Sequence, residues 1–199
     1  MGKYYLDAVL IAIGASPASV LAESAGLQVG NGIIVDEFLR SSDEGIYAAG
    51  DVARFRNPAG SSIRLENWTN AQKQGAVAAL NMLGQTERYQ AIPWMWSDQF
   101  DKVIQIAGLL REGQTCVKRP LGDVGVAIFM VGVEGELQAA AAFGEVAAVA
   151  RVIRPSLAVI ERGLRLPVEQ LADPGIDLKS IVNSWEYGRF NESQITVKQ

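Results

Sequence analysis

"GIYAAGDVARF", Gly45 to Phe55, is the stretch on which the reading of this chain turns. Small and apolar residues, Ile46 to Ala49, run into Gly50 and a single acid, Asp51, with Arg54 and Arg56 close behind. The apolar run predicts a buried strand, and Gly-Asp is common turn chemistry. An acid at the mouth of such a strand is either an ordinary turn residue or a ligand-binding group, and the flanking sequence has to decide.

Working outward, "YYLDAVLIAI" (4–13) is strongly apolar and stops at Gly14, which predicts another buried strand. A turn, a short helix over Ser19 to Ala25 and a stop at Gly26 follow. "GIIVDEFLRSS" reads as a strand, a turn and a second strand. After a polar loop, Asn57 to Ser62, a helix is expected over 70–83. Thr69 with Gln72 three residues on fits a capping box, Ala71, Gly75, Ala78, Ala79, Met82 and Leu83 repeat at helical spacing, and Gly84 ends the run.

The character changes near residue 90. "PWMWSDQFDKVIQIAGLL", "TCVKRP" and "VAIFMVGVEGELQAAAAFG" predict antiparallel strands with a hairpin turn at "VEGEL". Glu145 to Glu161 is helical in period but interrupted by Pro155, so a kinked helix or two short ones is expected. "PVEQLADPG" and "LKSIV" are short terminal elements, and the polar tail 186–199 is expected to fray. Two domains follow, 1–90 and 91–199, in a fold class that is α/β and then α+β.

Composition narrows the chemistry. With 199 residues, 49% of them hydrophobic, the chain can bury a core. A net charge of −4 and the lack of a basic run give no signal for nucleic acid. No apolar run approaches the ~18 residues of a membrane span, and no secretion leader is read at the N-terminus. There is no histidine and only one cysteine, Cys116. Ser-His-Asp and Cys-His catalysis, Cys-x-x-Cys redox chemistry and histidine-based metal sites are therefore excluded from this chain. Cys116 is expected as a small buried hydrophobe in a reducing cytoplasm.

"LIAIGASP", "GIIVDEFLRSSDEGIYAAGDVARFRNP", "RLENWTNAQKQGAVAALNML" and "IPWMWSDQFDKVIQIAG" occur in this order. Together they resemble the second half of FAD-dependent NADH:ferredoxin or rubredoxin reductases, the reductase components of oxygenase and cytochrome P450 systems. The resemblance implies FAD as cofactor, NAD(P)H as co-substrate and a ferredoxin or rubredoxin acceptor. It also implies a missing N-terminal half carrying the Gly-x-Gly-x-x-Gly turns, and leaves a homo-oligomer open. The N-terminal region would be a partial, Rossmann-like FAD-binding domain, and 91–199 an antiparallel sheet with helices.

The same resemblance gives the site. Gly50 would let backbone and ligand approach closely, and the Asp51 carboxylate, an acceptor only, would hold the hydroxyls of the ribityl chain. The amides of Asn70, Ala71 and Gln72 at the helix start would face the flavin, with the dipole's roughly +0.5 charge favouring negative charge on the reduced ring. Trp68 and Trp96 would pack against the ring, while Trp94 reads as core. Arg54, Arg56, Arg64 and Lys73 would steer an acidic partner, or simply be solvated. No catalytic acid, base or nucleophile and no metal ligand is expected. Two other readings stay open: an NADH oxidase or nitrite reductase on the same scaffold, or a non-catalytic interaction or dimerisation module.

Overall fold

Between Trp94 and Gly144 five runs pair into one sheet, with inward and outward residues alternating most clearly along the hairpin of residues 115–131. The strands are β5 (Trp94–Gln99), β6 (Lys102–Gly108), β7 (Thr115–Leu121), β8 (Gly125–Val131) and β9 (Leu137–Gly144). All pair antiparallel in the order β5-β6-β9-β8-β7. The expected turn at "VEGEL" closes β8 onto β9, with the Gly132 amide donating to the Glu136 carbonyl at 2.9 Å. The computed structural model describes residues 6–56, 60–111 and 113–186. They gather into two units: Met1–Glu66 with Gln74–Tyr89, and Asn67–Lys73 with Gln90–Gln199.

In the second unit a helix, α3 (Val146–Glu161), lies across β9 and β6. Two shorter helices complete it: α4 (Val168–Ala172) against β7, and α5 (Leu178–Glu186) against α3. Phe129, Val149, Ile153, Val159 and Leu171 fill the core. Ala139, Ala140 and Ala142 are buried in the central strand β9, whose small side chains give α3 room to settle on it. Of the two forms expected, a division at Pro155 does not occur: α3 runs as one 16-residue helix with the proline buried inside it. Its ring removes only one backbone donor, and packing on the sheet holds the rest.

Cys116 also departs from expectation, because it is exposed. On the edge strand β7, Val117 and Arg119 face inward, so Cys116 points out by simple alternation. Arg119 is the buried charge of this unit. Its Nε donates to the Leu171 carbonyl at 2.8 Å, and its Nη2 to those of Gln170 and Asp173 at 2.8 and 2.6 Å. The guanidinium thus closes the end of α4. Desolvation pulls its pKa down, while Asp173 and Asp177 oppose that pull.

The first unit carries a smaller mixed sheet in the order β1-β2-β3-β4. Strands β1 (Val29–Gly30) and β2 (Gly32–Ile34) form a tight antiparallel pair; β2 runs parallel to β3 (Ala53–Arg56), which pairs antiparallel with β4 (Ser62–Arg64). The short helix α1 is Val20–Ser24, ending before Gly26 at φ +75°, as the sequence predicts.

Three strand expectations fail in this unit. Residues 6–13 form no strand, and Leu10 is 91% exposed; a strand needs hydrogen-bonding neighbours, and this run meets none among the described residues. Tyr4 and Tyr5, Asn57 to Ala59 and the tail from 187 lie outside those residues. "IYAA" contributes one bridge, Arg40 to Tyr47, rather than a strand. The same bridge is all that remains of the second strand expected in 32–42, because Asp36 folds that segment into a loop instead. The Asp36 carboxylate accepts from the amides of Phe38 and Arg40, both at 2.9 Å, and pairs with the Arg40 guanidinium.

Candidate functional site

The Gly50–Asp51 pair sits where the apolar run stops, in a single 3₁₀ turn, Gly50–Val52. Gly50 has φ +79°, a conformation that glycine adopts without strain. The turn is held from several sides. The Gly50 amide donates to Gln74 Oε1 at 2.7 Å, and the Ala53 amide closes back on the Gly50 carbonyl. Arg64 Nη1 donates to the Asp51 carbonyl at 2.9 Å, while its other nitrogens bind Asn31 and Glu66. Gly32, at φ +109°, completes the cradle: a Cβ there would lie 2.5 Å from the Val52 carbonyl oxygen.

The Asp51 carboxylate itself is exposed and has no hydrogen-bond partner among the described residues. The backbone of the turn is thus fixed while its charge is left free. Arg64, expected in a steering patch, is spent on the framework. Arg54 donates to Ser62 Oγ at 2.9 Å, whereas Arg56 and Lys73 remain exposed.

The remaining expected site residues, Trp68, Asn70, Ala71, Gln72 and Trp96, belong to the second unit. The helix, α2, is Trp68–Met82, two residues earlier than the spacing predicts. Its cap is not the Thr69–Gln72 box. Asn67 Oδ1 accepts from the Asn70 amide at 2.8 Å, and the Asn67 carbonyl from the Ala71 amide at 3.1 Å. Asparagine is a strong N-cap, and it wins the position over the later threonine. The Asn70 and Ala71 amides are therefore occupied, and the helical bonds of the first turn engage Gln72 as well. The amides that an α-helix starting at Trp68 leaves without an intrahelical acceptor are those of Trp68 and Thr69. The Thr69 hydroxyl is buried without a partner.

Three tryptophans gather at this helix start. Trp68 meets Trp96 edge to face at 6.2 Å between centroids, and Trp96 lies 5.0 Å from Trp94. Trp68 is 66% and Trp96 39% exposed, so their rings offer free aromatic surface. Trp94 is partly buried against the core, as expected, with its indole N–H lacking a partner. Trp94 and Trp96 point to one face of the edge strand β5 by two-residue alternation.

Gln74 and Asn67 escaped the sequence reading. A capping asparagine three residues before Asn70 was a usable signal. A buried glutamine inside an alanine-rich helix carries none, because its partner lies 24 residues upstream.

These features fall within two known families: residues 2–75 match the pyridine nucleotide-disulphide oxidoreductase family, and residues 94–182 match the reductase C-terminal family. Together the two matches span most of the chain, a pyridine nucleotide-disulphide oxidoreductase stretch followed by a reductase C-terminal stretch. It is 40% identical to the ferredoxin–NAD(+) reductase component of the anthranilate 1,2-dioxygenase system of Burkholderia cepacia, over 91% of this chain and 44% of that one. Among solved structures it is similar to the ferredoxin reductase of the CYP199A2 system from Rhodopseudomonas palustris. There the TM-score is 0.76 at 31% identity, over 86% of this chain and 42% of that chain. The covalent putidaredoxin reductase–putidaredoxin complex also matches, with TM-score 0.76 at 30% identity, over 87% and 41%. The chain thus spans less than half the length of these relatives. No helix among the described residues is long and apolar enough to cross a membrane, and none of their His, Cys, Asp and Glu side chains group as a metal site.

Proposed function

We propose that this chain is the flavin-holding and C-terminal portion of a reductase that passes electrons from NAD(P)H through FAD to a ferredoxin- or rubredoxin-type protein. The carrying observation is the clamped Gly50–Val52 turn, which presents an exposed, unpaired Asp51 carboxylate. FAD supplies the redox chemistry, accepting a hydride and releasing single electrons. Groups of each unit, taken by itself, fit part of such a molecule. Asp51 accepts from ribityl hydroxyls, each charge-assisted bond contributing ~1.5–3 kcal/mol net. The open amides of Trp68 and Thr69, and the positive end of α2, favour negative charge on the ring. The orphaned Thr69 hydroxyl is a further polar group in want of a partner. Trp68 and Trp96 offer apolar faces that pack on the isoalloxazine and keep water from it.

Asn70, Ala71 and Gln72 keep a part in this proposal as the turn that orders those amides, rather than as donors. The names of the relatives, a dioxygenase-system component and a putidaredoxin reductase, support the iron–sulfur acceptor. An exposed thiol at Cys116 suits a reducing cytoplasm. The open edges of β5 and β7 suit association between copies.

The test is Asp51→Ala in the FAD-loaded full-length protein. FAD should be lost on dialysis at least tenfold faster than from the wild type, with NADH-driven reduction of a ferredoxin falling in parallel. Flavin content unchanged after dialysis would reject the assignment. A second reading rests on the closed core of the second unit: residues 90–199 act as a self-folding interaction module, which predicts that the chain expressed alone is colourless yet folded.

A further inference from the structure

We propose that Gln74 is a positioning residue for the cofactor site, acting through Gly50 to aim the Asp51 carboxylate; this rests on the flavin reading above. Gln74 is 0% exposed, in the second turn of α2. A glutamine fully buried on a helix is costly unless its amide is used, and leucine would fill the space without that cost. Half of the amide is used: Oε1 accepts the Gly50 N–H at 2.7 Å, a donor with no sheet partner. The other half, Nε2, is buried with no partner.

A side chain kept in place with an unmade hydrogen bond is there for the bond it does make. That bond lies one residue from the only acid of the turn. The Gly50 amide is the hinge of that turn: its φ of +79° sets the direction in which Asp51 leaves the sheet. Arg64 fixes the far side through the Asp51 carbonyl. With Gln74 removed, the 3₁₀ turn keeps its Ala53-to-Gly50 bond and its Arg64 contact but loses the side-chain anchor that the described residues give Gly50. The carboxylate then samples several directions, and the ligand must order it on binding.

The test is a double-mutant cycle on FAD affinity, measured by titrating apoprotein of the full-length chain with FAD. Asp51→Asn, Gln74→Met and the double variant are compared, together with Gln74→Glu, which keeps an acceptor within reach of Gly50. We expect Gln74→Met to weaken FAD binding about tenfold, the value of one lost buried hydrogen bond. The double variant should bind no more than about twofold worse than Asp51→Asn alone, because both changes remove the same oriented carboxylate. Gln74→Glu should recover most of the loss. Losses that multiply, or equal losses in Gln74→Met and Gln74→Glu, would overturn the positioning role. So would Gln74→Met that melts at lower temperature yet binds FAD normally. If Asp51→Asn itself leaves FAD affinity unchanged, it is the flavin reading that fails.

Discussion

The two units reach their folds by different means. In the second, apolar side chains from four strands and three helices meet in one contiguous core, with Trp94 of β5 packed against it, and Arg119 is the principal polar intrusion. In the first, the buried hydrophobics are fewer and mostly small: Ala22, Ala48, Ala53 and Ala78 beside Val35, Leu39, Phe55 and Tyr89. There the loops are pinned by directional bonds from Asp36, Gln74 and Asn81. Burial is non-directional and tolerates small displacements, whereas a hydrogen bond fixes position and charge. In the function proposed above, Asp51 is presented in one direction, and a unit with that task gains from the second means.

The contrast can be broken by single substitutions, and the assay separates the units. All four tryptophans fall in the second unit, so indole fluorescence follows it, while four of the five tyrosines fall in the first, and with Tyr187→Phe in the background tyrosine signals follow that unit. Phe129→Ala should have the largest effect, about 3–5 kcal/mol lost from the second unit, since the ring is fully buried and its cavity cannot collapse between strands. Denaturant midpoints read by indole fluorescence check it; a loss below about 1 kcal/mol would mean that the core is looser than described.

Arg119→Met comes next, at about 3 kcal/mol, because three carbonyls lose a charged donor at once. Asn81→Leu is the counterpart in the first unit. Its side chain joins the Phe38 and Glu87 carbonyls and the Glu87 amide, each at 2.7–2.8 Å. Replacement should cost about 2 kcal/mol, read by tyrosine signals, with the indole transition unmoved. If both transitions shift together, the two units unfold as one and the contrast is structural only.

The same contrast explains what the sequence could tell. Strand-like apolar runs and glycine turns made β5 to β9 legible, because most of those strands pair with the next one along the chain, β6 with β9 being the long-range exception. The run over 6–13 carries a pattern just as apolar but meets no strand among the described residues, and composition alone cannot announce that. Around Asp51, the glycine and the acid were readable, and so was the existence of a helix downstream. The clamp was not. Gln74, Arg64 and Asn81 act across 13 to 43 residues of chain, and a single polar contact at that range leaves no periodic trace. The cap failed for a local reason: Asn67 and Thr69 compete for one helix start, and the sequence shows both.

Tyr89 gives the smallest effect at neutral pH and the sharpest probe of the first unit. Its ring is buried edge-on to Phe55, 5.1 Å between centroids. Burial disfavours the phenolate and pushes its pKa from 10.0 up to about 12. The folded state therefore holds its proton more tightly than the unfolded chain. Below pH 10 the contribution to stability is constant; between about pH 10 and 12 the unfolded chain releases the proton first, and stability falls as pH rises. Tyr89→Phe has no proton to lose, so the alkaline slope of the first unit should flatten in that variant, while the second unit is unmoved. Following tyrosinate absorbance and the tyrosine unfolding signal together through that range checks both halves. Tyr89 titrating at the ordinary value would mean that the ring is wet, and that this unit has less of a core than its few buried residues suggest.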